Sequence, residues 1–230
     1  MPNSDQITDK LFQNWDELLQ SFDVNQAAAE KTFTQIVESY SSPNRYHHTL
    51  EHIDRVLEVI QILESQTQNL EPKTVKLAAW FHDIVYDTSS KDNEEKSAEY
   101  AVDVLSSLSI PSDVIKNVKR LILTTKNHQA KTCVTRSVKP EAYRNAQVLL
   151  DADLAILGSN PNEYSKYTQA IRQEYIWVPE AEYIAARKQI LQNFLQRENI
   201  YFTQLMQQTK EKTARNNLKT EIETRLEVKG

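Results

Sequence analysis

An all-α fold, a single-domain helical bundle, is the prediction for this chain of 230 residues. Three observations carry it. Apolar residues recur at three- and four-residue steps almost throughout, the period of a helix face. Leu, Ala, Glu, Gln and Lys dominate, and all are good helix formers. Glycine is nearly absent, with Gly158 the only one before the terminal Gly230. Parallel β/α folds need glycines at their turns and phosphate loops, so those folds are excluded.

The spacing predicts helices in order over 7–21, 24–40 and 48–66, with Pro43 in the break before the third. Pro72 opens a helix over 72–87, and another follows over 92–108. Pro111 opens 111–127. Its "RLILTT" is rich in β-branched residues, but it continues the periodic "DVIKNVKRLILTT" and reads as helix. Pro140 opens 140–158, Pro161 opens 161–177, and Pro179 stands before 180–197. The last segment, 201–226, is expected to be broken. Proline suits a helix start because the N–H it lacks would have no intrahelical partner there. The longest irregular stretch is "NHQAKTCVTRSVKP", 127–140, which reads as a lid or a surface loop. No internal repeat or low-complexity linker divides the chain, so one domain over 1–230 is expected.

The net charge of -5 argues against a general nucleic-acid surface or duplex binding, although it leaves room for a local basic pocket. Cys133 is the only cysteine, which rules out an intrachain disulfide and suits a reducing cytoplasm. No apolar signal region opens the sequence, and no apolar run approaches the length of a membrane span.

The five histidines are His47, His48, His52, His82 and His128, and three of them fall within "RYHHTLEH". His48 and His52 are four apart and share a face if that segment is helical. Such a pair is a familiar way to offer two imidazoles to a metal, and also a common surface feature without one. A second element is "KLAAWFHDIVYD", where the polar pair His82-Asp83 lies inside an apolar run. An ionised carboxylate there needs a cation or several donors; a His–carboxylate core hydrogen bond is the plainer reading. The third element is "LLDADLAIL". Asp151 and Asp153 are about 200° apart on a helix, so one site can hardly use both. Asp153 has Leu149, Leu150, Ile156 and Leu157 at helical steps, whereas Asp151 has Gln147, Val148, Leu154 and Ala155. That spacing gives Asp153 the more apolar setting and leaves Asp151 as the reserve.

The order of "EHIDRVLEVI", "KLAAWFHDIVYD" and "LLDADLAILG" resembles the HD-domain superfamily of metal-dependent phosphohydrolases. The wider wording, "RYHH", "DNEEKSAEYA" and "IRQEY" included, is similar to a little-characterised bacterial group of predicted HD phosphohydrolases. The resemblance implies an all-α bundle of the HD type with a motif core at about 45–160, on which the helices of 161–226 pack. It implies His52, His82, Asp83 and Asp153 as ligands of a divalent ion: Mn, Fe, Co, Ni or Zn, with Mg a further candidate. The implied reaction is hydrolysis of a nucleotide or other small phosphorylated metabolite by metal-activated water.

Without a glycine-rich cradle, cations must meet the phosphate; Arg45, Lys126, Arg172 and Arg187 are the candidates. Arg45 leads because it precedes the histidine cluster. His48 and His128 are expected to bind phosphate, move a proton or ligate a second ion, and His47 shares that role. His128 and Glu94 occupy places where related HD proteins put an active-site His and an acidic residue. Asp83 is expected to matter for turnover as well as for the metal. The alternatives are a catalytically silent nucleotide-binding sensor, a metal oxygenase with a second iron-rich centre, and a purely structural helical protein. The segment "TKEKTARNNLKTEIETRLEV" is expected to pack on the bundle or on another copy in a homo-oligomer.

Overall fold

The computed structural model describes residues 4–130 and 140–225. Most of the segment 127–140, read as a lid or surface loop, lies outside them. Eleven α-helices and no strand occur among the described residues. They are α1 Ser4–Gln20, α2 Gln26–Tyr40, α3 Leu50–Glu64, α4 Pro72–Phe81, α5 Asn93–Ser107, α6 Ser112–Thr125, α7 Pro140–Asp153, α8 Pro161–Glu174, α9 Glu180–Leu195, α10 Gln204–Thr209 and α11 Glu211–Arg225. A 3₁₀ turn, Leu154–Gly158, follows α7. The all-α prediction holds, as does the break in the last predicted helix, which falls between α10 and α11.

Backbone packing divides the chain into two compact units, Met1–Ala152 and Asp153–Gly230. The first is built around Trp15, Trp80 and Phe81, all at 0 % exposure. Trp15 meets Trp80 and Phe81 edge-on, at centroid distances of 5.3 and 5.9 Å. Buried polar tips are satisfied: Trp15 Nε1 donates to the Ala29 carbonyl and the Tyr40 hydroxyl to the Trp80 carbonyl. Those bonds fix α1 and α2 against α4. Asn145 of α7 exchanges two hydrogen bonds with Glu71 at the start of α4, one with its backbone N–H and one with its carboxylate.

Helix α3 begins two residues later than the periodicity predicts. Thr49 is the extended N-cap residue, with φ -117 and ψ -179, so His48 lies before the helix and His52 inside its first turn. Helix α4 ends at Phe81, six positions short of the predicted 72–87, which leaves His82 as its cap and Asp83 in the turn beyond.

The second unit is centred on Arg187 of α9, Glu221 of α11 and Tyr164 of α8, which are 8, 4 and 5 % exposed. Arg187 donates to both carboxylate oxygens of Glu221, at 2.9 and 3.3 Å, and to the Tyr167 hydroxyl. The Tyr164 hydroxyl donates to the same carboxylate. Burial and the adjoining Glu221 charge raise the Tyr164 pKa far above its ordinary value, so the hydroxyl stays a donor. Gly158 closes the 3₁₀ turn where no side chain fits. A Cβ there would come within 2.8 Å of Lys210 Cβ, 2.9 Å of the Tyr201 hydroxyl and 3.0 Å of the Lys210 carbonyl oxygen. Gly158→Ala is therefore expected to cost about 1–3 kcal/mol by overpacking, read as a lowered midpoint in thermal unfolding.

Candidate metal centre

His52, on the first turn of α3, and His82 and Asp83, at the end of α4, form one group whose ligand atoms lie within 4.8 Å of one another. His52 and His82 are buried, at 5 and 1 % exposure. The Asp83 side chain is 18 % exposed, so the group is closed by protein on the histidine side and open at the carboxylate. The two Nε2 atoms are 3.2 Å apart. Asp83 Oδ2 lies 3.1 Å from His82 Nε2 and 3.7 Å from His52 Nε2.

One tautomer is fixed by chemistry. His82 Nδ1 lies 2.8 Å from the Ala79 carbonyl oxygen, which can only accept. The neutral ring therefore carries its proton on Nδ1 and turns the Nε2 lone pair toward Asp83 and His52. A lone pair beside a carboxylate oxygen is repulsive unless a positive species lies between them. A metal suits the spacing. With bonds of about 2.1 Å, neighbouring ligand atoms are about 3.0 Å apart in an octahedron and about 3.4 Å in a tetrahedron. The observed edges of 3.1 and 3.2 Å fall between those values, and the third, 3.7 Å, is slightly longer. Two imidazoles and a carboxylate are a borderline set suited to Zn, Co, Ni, Mn or Fe.

The turn that carries Asp83 is held by side chains distant in sequence. Arg45 Nη1 donates to the Asp83 carbonyl at 2.7 Å and to the His48 carbonyl at 3.1 Å; Nη2 donates to the Ile84 carbonyl at 2.8 Å. Hydrogen bonds from a charged donor contribute about 1.5–3 kcal/mol each. Ser97 of α5, at 0 % exposure, accepts from the Val85 N–H and donates to the Val85 carbonyl. Asn93 does the same for Asp87, through its amide oxygen and nitrogen. These side chains satisfy the backbone groups of the turn that follows α4, which has no helical partners for them.

His48 sits at the edge of the group. Its Nε2 is 3.9 Å from Asp83 Oδ2, and its ring stacks on Tyr86 with centroids 4.2 Å apart. The His47 ring is 4.9 Å from those of both His48 and His52. His128 and Glu94 stand outside the group of three. His128 follows α6 in the left-handed region, φ 46, and Glu94 lies in the acidic first turn of α5. Of the other candidate cations, Lys126 pairs with Glu95. Arg172 donates to the carbonyls of Tyr175 and Val178 and lies over the Tyr183 ring. Arg187 is committed to Glu221.

The burial argument that favoured Asp153 is corrected. Asp151 is at 0 % exposure, whereas Asp153 is only half-buried. Spacing along α7 does not by itself tell which of its positions the fold covers, and Val148, Leu149, Leu150 and Ala152 are buried beside Asp151. Sequence reasoning also missed Tyr86 and Ser97. Their only signal is position: Tyr86 lies three residues after Asp83, and Ser97 is a hydroxyl one position before Ala98 and four before Ala101 in α5.

Residues 49–156 match the family described as HD domain. No curated protein matches the chain in sequence. Among solved structures, the chain is similar to the phosphodiesterase domain of the RhoPDE fusion protein from the choanoflagellate Salpingoeca rosetta. The TM-score is 0.65 at 13 % identity, over 96 % of this chain and 90 % of that one. At that identity the likeness speaks for the fold alone.

Proposed function

Since residues 49–156 belong to the HD-domain family, we propose that this chain is a metal-dependent phosphohydrolase acting on a nucleotide or another small phosphorylated metabolite. The observation that carries the reading is the convergence of His52, His82 and Asp83 at the spacing of metal ligands. The fold shared with a phosphodiesterase domain is consistent with phosphate-ester chemistry. The lone Cys133 supports a cytoplasmic setting.

His52, His82 and Asp83 would hold the ion, with Asp151 as the candidate for a fourth ligand. Asp151 is preferred to Asp153 because it is fully buried and lies in the same compact unit as the other three. When bound, the cation supplies Lewis acidity toward water and the phosphoryl group. The chain's own residues do the rest. The Ala79 carbonyl keeps the His82 proton on Nδ1. His48, aligned by its stack on Tyr86, holds a proton at Nε2 that it can pass to the leaving oxygen. Asp83, on the open side, faces the arriving substrate.

The test is a panel of nucleotides, sugar phosphates and phosphodiesters, run on chelated protein with each of Mn²⁺, Co²⁺, Ni²⁺, Zn²⁺ and Mg²⁺ added back. Hydrolysis that is lost on chelation and restored by one ion is expected. Stoichiometric metal with no turnover on the panel would overturn the enzyme and favour the sensor. The fourth ligand has its own outcome: Asp151→Ala is expected to lose the ion on dialysis and Asp153→Ala to keep it. The reverse result would return Asp153 to the site.

A further inference from the structure

We infer that Arg45 is a positioning residue of the metal centre and not a substrate-binding cation. The inference rests on the metal reading above. An arginine that grips phosphate offers two adjacent N–H donors to two oxygens. Arg45 has no such pair to offer. Nη1 is taken by the Asp83 and His48 carbonyls, and Nη2 by the Ile84 carbonyl. Its Nε is cut off from solvent. The guanidinium also lies near two rings, with its carbon 4.9 Å from the Tyr40 centroid and 5.4 Å from that of Tyr86.

Each of these contacts leads to a part of the centre or its support. The Asp83 carbonyl fixes the backbone from which the ligand carboxylate projects. The His48 carbonyl fixes the loop just ahead of His52. Tyr86 is the ring on which His48 stacks. Tyr40 is bonded to Trp80, two residues before His82. One planar cation thus joins the two backbone segments that bring His52 and Asp83 together. Lysine retains the charge but not the fork, so it cannot satisfy three carbonyls in this geometry.

That difference supplies the experiment. Full-length wild type and Arg45→Lys, both chelated, are titrated with Co²⁺ while the visible ligand-field spectrum is recorded. Melting temperatures of the metal-free proteins and the KM and kcat of the best panel substrate are measured alongside. Arg45→Lys is expected to bind Co²⁺ about 10–100-fold more weakly, as when other outer partners of metal sites are removed. Its spectrum at saturation should be altered, and its kinetic loss should fall on kcat more than on KM. A role confined to stability would lower the melting temperature and leave the saturated spectrum unchanged. Wild-type Co²⁺ affinity and spectrum in Arg45→Lys, with KM alone raised, would overturn the inference and restore Arg45 as a phosphate contact. Should Arg45→Lys not fold by circular dichroism, Arg45→Gln, which keeps a planar donor group, carries the same readouts. Wild-type protein that takes up no Co²⁺ would overturn the metal reading itself. The two failures are therefore read on different proteins.

Discussion

Asp83→Ala is expected to empty the metal centre and to abolish every turnover that depends on it. Asp83 contributes the only negative charge in the group of three, and its Oδ2 is within 3.7 Å of both imidazole Nε2 atoms. Removing it leaves the two imidazoles and the proposed Asp151, a set short of one ligand and one negative charge, and the ion loses its hold against water. The loss in affinity should exceed the about 10–100-fold that follows removal of an outer-sphere partner. Folding should be little affected, since the side chain is 18 % exposed and leaves no sealed cavity. His82→Ala would be a poorer probe, because His82 is 1 % exposed and its loss also opens the core. Metal content after dialysis, measured by atomic emission alongside a circular-dichroism melt, checks both halves. A folded Asp83→Ala protein that retains one equivalent of metal, or full activity without it, would refute the centre.

The second large effect belongs to the other compact unit. Glu221→Ala strands the Arg187 guanidinium at 8 % exposure with its counter-charge gone, and the Tyr164 hydroxyl loses its acceptor. Breaking a buried pair from one side costs about 3–5 kcal/mol, because the remaining charge is neither solvated nor paired. At about 2–4 °C per kcal/mol for a chain of this size, the melting midpoint should fall by about 6–20 °C. The double replacement Arg187→Met with Glu221→Leu removes both charges and should recover most of that loss. A single Glu221→Ala variant that melts with the wild type would show that the network is not a stabilising element. Recovery only in the double variant would locate the penalty in the stranded charge.

Much of the fold could be read from the residues. The helices were legible because each buries one face, as the spacing of Leu11, Trp15 and Leu18 or of Ile53, Val56 and Ile60 records. The early end of α4 was not, because the side chains that satisfy the turn beyond it lie elsewhere: Arg45 is 38 positions away from Asp83 and Ser97 is 12 away from Val85. The start of α3 was misread for a related reason. Apolar spacing does not report that Thr49 takes an extended backbone. His82 and Asp83 stood out as polar residues in an apolar run, and they meet His52 as a group. Arg45 was legible as important but not in its role, since a cation before a histidine cluster reads as a phosphate contact until its acceptors are known. Asp151 and Asp153 are separated by their burial in the fold, which one-dimensional spacing does not report.

The turn from Asp83 to Asp87 is held by Arg45, Ser97 and Asn93 entirely through main-chain N–H and carbonyl groups. Every residue type except proline supplies those groups alike. The mooring is thus blind to the identity of Val85, which is only half-buried, whereas the Tyr86 ring is itself in contact with His48 and Arg45. Position 85 is a place where natural variation or laboratory selection can reshape the rim of the centre without moving the centre itself.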